Sequence, residues 1–119
     1  MDPALLAYGD YSITSGAAAM QRLLKHSPDL DAVFVNSDLM AVAAINTIHE
    51  QGHRVPEDIA VVGYDDLSIA VLNNPPLTTI RQNVTLAGKL LAQNLSQYLQ
   101  TGVVTNVTLP VEMVVRKSA

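Results

Sequence analysis

Cysteine is absent from this sequence, and charged residues are sparse. The lack of cysteine fits a cytosolic protein but also fits many secreted proteins, so it excludes little. Charged residues make up only 15% of the chain and apolar residues 49%, a balance that argues against intrinsic disorder and for a packed core. With 119 residues, the chain has room for one domain at most.

Positive charge is also scarce, since seven Lys and Arg stand against eleven Asp and Glu and leave a net charge of −4. A nucleic-acid-binding domain normally carries a basic stripe, whereas these seven residues are spread along the chain. We therefore expect that this chain alone does not bind DNA. No apolar run approaches the length that a membrane span requires, and the start of the chain lacks the basic flank of a signal peptide.

The most informative stretch runs from Ile59 to Asp66 and reads IAVVGYDD. Its short apolar run, rich in β-branched residues and bounded by turn residues, is typical of a buried strand in a parallel sheet. In open α/β sheets, ligands bind beyond the carboxyl ends of the strands. Asp65 and Asp66 therefore fall where a ligand would bind, although Asp65 beside Asp66 could be only a solvated turn. Asp66 is expected to cap the following helix at Leu67.

Strand-like and helix-like segments alternate along the rest of the chain. Strands are predicted at residues 4–8, 31–36, 59–63 and 77–82 and in two pieces between 103 and 116, and helices at 15–26, 39–49, 67–72 and 86–99. Asp38 and Thr85 are the expected N-caps of two of these helices. The alternation predicts an α/β fold with an open parallel sheet and helices on both faces.

Side chains of four kinds follow the carboxyl ends of predicted strands, and parallel strands would bring them to one edge of the sheet. They are an aromatic ring, a hydroxyl, a carboxylate and an amide: Tyr11, Ser37, Asp65 and Gln82. This set suits a polyhydroxyl ligand, because a ring stacks on the apolar face of a sugar while polar groups bind its hydroxyls. Tyr11 could instead cover the sheet edge, and Ser37 could be only a turn residue.

Longer motifs resemble the effector-binding domain of the lac repressor/galactose repressor family of bacterial transcription regulators. The similar segments are RVPEDIAVVGYDD, NNPPLTTIRQ, GDYS and VNSDLMA, and the resemblance covers nearly the whole chain from Gly9. It implies the C-terminal piece of a two-lobed, periplasmic-binding-protein-like effector domain. Residues 1–82 would belong to the C-terminal lobe, 83–102 would be a helix of the other lobe, and 103–119 would be a terminal β segment. The resemblance implies the same four ligand-binding residues, although the family often has Asn where Ser37 stands.

The resemblance also implies what the protein binds and where it works. The expected partners are a sugar or nucleoside-like effector and a second copy of the chain, with dimer contacts at Leu39, Val42 and Leu72. Operator DNA would be bound only through a domain absent from this chain. No enzymatic activity, cofactor or membrane is implied, and the expected location is the cytoplasm. The alternative is a periplasmic sugar-binding component of a transporter, which shares the two-lobed fold.

A literal match to the zinc motif H-E-x-x-H occurs at residues 49–53, which read HEQGH. The motif needs two histidines on one helix face and a third ligand, but Gly52 is expected to end the helix before His53. No histidine follows His53 in the chain. We therefore predict no zinc site here and no other metal site.

Overall fold

A computed structural model describes residues 2–119 as four strands and four α-helices, preceded by a short 3₁₀ helix; residue 1 lies outside this range. The helices are α1 (Ile13–His26), α2 (Asp38–Glu50), α3 (Ser68–Leu72) and α4 (Val84–Thr101). The strands are β1 (Ala32–Phe34), β2 (Ala60–Tyr64), β3 (Thr78–Gln82) and β4 (Val111–Val114). The predicted α/β alternation is thus confirmed from α1 to β4.

The strands form one open sheet in the order β1-β2-β3-β4. The first three are parallel, as predicted, but β4 runs antiparallel to β3, with Gln82 opposite Val111. The chain leaves β3 at its carboxyl end and enters β4 at that same end of the sheet. The segment containing α4 therefore does not return the chain to the amino ends of the parallel strands. A parallel fourth strand would need such a crossover, and the prediction of a parallel sheet is wrong at this strand.

The amino-terminal strand predicted at residues 4–8 is also wrong. The chain there ends a 3₁₀ helix, Pro3–Leu5, and continues without sheet pairing. The Asp2 side chain caps this helix by accepting a hydrogen bond from the amide of Ala4 at 2.9 Å. Proline suits the first helical position because its missing N–H would have no partner there. These local signals favour a helical turn over a strand.

The core lies between the sheet and the helices α1 and α2. These two helices approach closely at Gly16, where a Cβ atom would lie 2.7 Å from the Met40 Cα. The buried apolar side chains of this layer come from both helices and from β2, α3 and the loops: Met20, Leu23, Ala41, Ala44, Ile45, Ile48, Val55, Ile59, Val61, Ala70 and Leu77. Fully burying a Val, Leu, Ile or Met side chain stabilises a fold by roughly 1.5–3 kcal/mol. This layer therefore fixes the sheet against the helices.

The opposite face of the sheet is open within residues 2–119. Its apolar surface is formed by side chains of all four strands: Ala32, Phe34, Ala60, Val62, Ile80 and Met113. Phe34 and Tyr64 contact each other edge to face, with ring centroids 6.4 Å apart, yet Phe34 remains 59% exposed. Helices α1 and α2 cover one face of the sheet, as predicted, but no helix covers the other face within residues 2–119.

The C-terminal tail closes the gap between β2 and β3 near their amino ends. Ser118 is fully buried there. Its hydroxyl donates to the Val61 carbonyl at 2.6 Å and accepts from the Thr78 amide at 2.8 Å. Its carbonyl accepts from the Val61 amide at 2.7 Å. Because these bonds satisfy main-chain groups of both strands, the tail acts as part of the sheet.

The helix α4 stands apart from this body, since none of its residues is buried. It is capped by Asn83, whose side chain accepts a hydrogen bond from the amide of Leu86 at 2.9 Å, so the predicted cap at Thr85 is wrong. Gly102 ends it in the left-handed conformation with φ 71°. No helix in the described part of the chain is long and apolar enough to cross a membrane.

The segment that returns from α4 forms no strand at residues 103–110, although a strand is predicted in this region. It runs beside α4, where the Asn94 side-chain amide donates to the Thr105 carbonyl at 3.0 Å. No described strand lies next to it to complete a ladder. Only the second predicted piece, at Val111–Val114, forms a strand, because it meets β3.

Candidate functional site

The carboxyl ends of the parallel strands β1, β2 and β3 lie at one edge of the sheet. Asp65 follows β2 and Gln82 ends β3, and the Gln82 side-chain amide donates to Asp65 Oδ1 at 3.0 Å. The Asp65 amide donates to the Ile80 carbonyl at 2.9 Å. The expected meeting of carboxylate and amide is therefore found in the structure. Ligand binding by either residue stays a prediction. Asp65 is partly exposed.

The backbone at this edge is strained. Among the described residues, the non-glycine residues with positive φ are Tyr11 at 68°, Asp65 at 112° and Asp66 at 55°. Such conformations are disfavoured for L-residues, cost of order 1–3 kcal/mol each, and cluster at ligand sites and switch regions. Tyr11 and Asp65 are both predicted ligand-binding residues, so the strain coincides with the candidate site.

Tyr11 lines a cavity of about 280 Å³ beside the end of β1 and is itself 61% exposed. Tyr8, Phe34 and Asn36 also line this cavity. A concave site with an aromatic side chain such as Tyr11 suits a sugar, whose ring is apolar on its faces and polar at its rim. The sequence prediction missed Asn36, although its position directly after the β1 run could have identified it.

Ser37 is the N-cap residue of α2, but its side chain makes no capping hydrogen bond and it is only 4% exposed. Its role in ligand binding stays a prediction. The predicted cap, Asp38, is instead the first residue of the helix and is fully buried. The cap prediction is wrong because the Asp38 carboxylate bonds to distant groups, Leu67 and Thr79.

Asp66 is predicted to cap α3, and this prediction is wrong as well. The N-cap position belongs to Leu67, and Asp66 instead accepts hydrogen bonds from Arg116 Nη2 at 2.5 Å and Arg81 Nε at 2.6 Å. Its side chain is only 10% exposed. Burial raises the pKa of Asp66, but the hydrogen bonds from Arg116 and Arg81 outweigh it and hold the pKa below its ordinary value. The ionised carboxylate thus ties the strained turn to β3 and to the C-terminal tail.

The predicted dimer contacts lie on neighbouring helices. Leu39 and Val42 are partly buried on α2, while Leu72 ends α3 and is 82% exposed. Val71 beside it is 57% exposed, so α3 presents apolar surface to solvent. A dimer contact at these positions stays a prediction.

The HEQGH segment spans the end of α2. The helix ends at Glu50, and Gly52 follows with φ 86°, as predicted, so His53 lies outside the helix. The His53 amide closes the helix end by donating to the Ile48 carbonyl at 3.1 Å. No cluster of three or more His, Cys, Asp or Glu that could hold a metal occurs among residues 2–119.

A family model described as a periplasmic binding protein-like domain matches residues 3–119. The HTH-type transcriptional regulator CelR of Thermobifida fusca is 44% identical over 120 aligned residues, which cover 98% of this chain and 35% of CelR. The chain therefore spans about a third of this relative. These two matches confirm the resemblance to the lac repressor/galactose repressor regulators.

Solved structures of such regulators have the same fold. The complex of the transcriptional regulator CelR with cellobiose has a TM-score of 0.90 at 42% identity, covering 100% of this chain and 37% of that one. The lac repressor dimer bound to operator and the anti-inducer ONPF has a TM-score of 0.83 at 40% identity, covering 92% of this chain and 39% of that one. The chain belongs to the family of periplasmic binding protein-like domains.

Proposed function

We propose that this chain is the effector-binding and dimerisation part of a bacterial transcriptional regulator that responds to a sugar or a related small molecule. The observation that carries the proposal is the Asp65–Gln82 pair, joined at 3.0 Å at the carboxyl edge of the parallel strands. This edge is where open α/β sheets bind ligands. Relatives with HTH-type regulator names and a CelR structure in complex with cellobiose support it.

Each residue of the site has a distinct role in this proposal. The Asp65 carboxylate accepts hydrogen bonds from sugar hydroxyls, and Gln82 orients it while offering its own amide. Tyr11 stacks on the ring of the sugar, with Asn36 at the same cavity. Ser37 contributes a hydroxyl. The chain catalyses no reaction in this proposal, since its role is to bind a small molecule.

Other parts of the full regulator follow from the same proposal. Operator binding belongs to a separate domain, in keeping with the net charge of −4 on this chain. Residues 83–102 pack in a second lobe of the effector domain, which suits a helix with no buried residue. Leu39, Val42 and Leu72 contact a second copy of the chain. The regulator works in the cytoplasm.

A titration followed by NMR tests the ligand site. Cellobiose, ribose and a nucleoside are added separately to the isotope-labelled chain, and shifts are expected at Asp65, Gln82 and Tyr11 for at least one of them. The Asp65→Asn variant keeps the shape but removes the charge, and a hydrogen bond to a charged group contributes roughly 1.5–3 kcal/mol. We therefore expect about tenfold weaker binding or more, with the fold retained.

Asp29→Asn is the matched control, because Asp29 is an exposed carboxylate away from the sheet edge. It should bind the sugar like the unaltered chain. Equal affinity in Asp65→Asn and Asp29→Asn would remove Asp65 from the site. Loss of folding in Asp65→Asn would make the residue structural.

A chimera tests the regulatory role. Residues 3–119 replace the matching segment of the lac repressor, whose dimer is known bound to operator. The chimera is expected to bind operator and to change its operator affinity when the sugar found by NMR is added. Asp65→Asn in the chimera should abolish that response and leave operator binding without sugar unchanged. A transporter component would instead give sugar binding with no effect on operator affinity.

A further inference from the structure

Asp38 is a carboxylate enclosed in the protein directly beneath the candidate site, and it is 0% exposed. Its Oδ2 atom accepts a hydrogen bond from the Leu67 amide at 2.7 Å. Its Oδ1 atom accepts one from the Thr79 hydroxyl at 2.6 Å. The residue thus joins the start of α2 to the turn after β2 and to β3.

The absence of a side chain at Gly63 makes room for the Asp38 carboxylate. Gly63 lies opposite Thr79 in the sheet, and a Cβ atom at Gly63 would clash with Asp38 Oδ1. The glycine of the GYDD stretch therefore leaves room for the Asp38 carboxylate and for the Leu77 side chain, whose Cδ2 atom would lie 2.8 Å from such a Cβ. An enclosed carboxylate is unfavourable unless its hydrogen bonds are satisfied, so a fold that keeps one gains something specific from it.

The hydrogen bond from the Leu67 amide to Asp38 lies at the end of the strained turn. Asp65 and Asp66 have φ values of 112° and 55°, and Leu67 is the next residue. Conformations of this kind persist only where the surroundings hold them in place. Asp38 holds the turn at Leu67, and the arginines that bond Asp66 hold it from the other side.

We propose that Asp38 is a positioning residue: its carboxylate holds the turn of residues 64–67 so that Asp65 presents its side chain to the ligand. This inference rests on the proposed function for the role of Asp65. The hydroxyl of Thr79 orients the carboxylate, and Asp38 itself touches no ligand. Because Asp38 follows Ser37 at the start of α2, it also couples the Ser37 end of the site to the Asp65 end.

Two pairs of variants test the proposal. Asp38→Asn removes the charge, with Asp31→Asn as the control at an exposed position. Thr79→Val removes the hydroxyl at constant shape, and Thr79→Ser restores it. NMR of each folded chain measures the exchange rate of the Leu67 amide and the HN–Hα coupling of Asp65, which reports its φ. Titration with cellobiose, ribose and a nucleoside measures the affinity.

Asp38→Asn and Thr79→Val are expected to speed exchange at Leu67, change the Asp65 coupling and weaken sugar binding about tenfold or more. Thr79→Ser and Asp31→Asn should match the unaltered chain in all three readouts. If Asp38→Asn does not fold, the Thr79 pair decides the question. An unchanged Leu67 amide and Asp65 coupling in Thr79→Val would overturn the proposal, as would a changed turn with unchanged affinity.

The readouts separate this inference from the proposed function. If no sugar binds the unaltered chain and none changes operator binding by the chimera, the proposed function fails while the exchange and coupling data still report on the turn. If sugar binds and Asp65→Asn weakens it, but the Thr79 pair is equal in affinity, only the role of Asp38 fails.

Discussion

At the scale of single residues, the candidate site contains two kinds of contact: those between neighbouring strand ends and those between residues far apart in the chain. Asp65 and Gln82 follow strand ends, and position alone predicted that they would meet. Asp66 bonds to Arg116, 50 positions along the chain, and Asp38 bonds to Thr79, 41 positions along. No spacing rule connects partners at such separations, so sequence reasoning assigned both carboxylates to helix caps.

Asp66 makes the stability of the chain depend on pH in the acid range. Because its pKa in the folded chain lies below the unfolded value of about 3.9, the unfolded chain binds the proton more readily. The ionised carboxylate stabilises the fold above that value, and this contribution is lost as the pH falls through the folded-state pKa. We expect Asp66→Asn to lower the free energy of unfolding near neutral pH and to matter less as the pH falls below about 4. Urea unfolding at a series of pH values measures the difference.

The comparison needs a control because other carboxylates titrate in the same range. Hydrogen bonds from Arg54 lower the pKa of Asp58 to about 2, but Asp58 is present in every variant and cancels in the difference. Asp29→Asn, at an exposed position, should show little effect at any pH. A difference between the unaltered chain and Asp66→Asn that stays constant down to about pH 2 would contradict the assignment.

At the scale of elements, helix ends were predictable because their signals are local. Gly52 and Gly102 both adopt left-handed backbone conformations just past a helix, with φ of 86° and 71°. Strands formed only where a partner strand exists, so residues 4–8 and 103–110 remained unpaired despite their composition. Strand propensity describes fit to a sheet surface and its neighbours, which composition alone cannot supply.

The end of α2 determines what HEQGH can bind. We expect no tight zinc binding, because the helix ends at Glu50 and His53 no longer shares a face with His49. His26 is engaged elsewhere, since its Nδ1 atom lies 2.7 Å from the Arg22 carbonyl. Metal analysis of the purified chain measures this directly. One zinc per chain, lost in His49→Ala, would show that the prediction is wrong.

At the scale of the whole molecule, the helix predicted at residues 86–99 forms as α4, but it buries none of its residues within residues 2–119. The structure leaves two large apolar surfaces uncovered within residues 2–119: the open face of the sheet and the leucine face of α4. On α4, Leu91 is 70% exposed, Leu95 59% and Leu99 76%. In the proposed regulator a second lobe covers the leucine face of α4.

Without such a lobe, we expect this chain to self-associate, because contiguous apolar surface of this size normally finds a partner. Sedimentation at a series of protein concentrations should show mass that rises with concentration. Replacing Leu91, Leu95 and Leu99 with Gln should reduce it, while Leu72→Gln, on α3, tests the separate dimer surface. A monomer at all concentrations that also unfolds cooperatively would count against this prediction.

The antiparallel pairing of β3 with β4 also makes residues 83–110 a removable insertion. The chain departs after Gln82 and returns at Val111, and these residues lie opposite each other in the sheet. Strands arranged in this way need only a two-residue Asn-Gly turn to connect them. We expect a chain in which such a turn replaces residues 83–110 to keep the α1/α2 core. It should also keep the Ser118 hydrogen bonds to β2 and β3 and the Asp65–Gln82 hydrogen bond. It would be a minimal scaffold on which the ligand edge could be redesigned without α4.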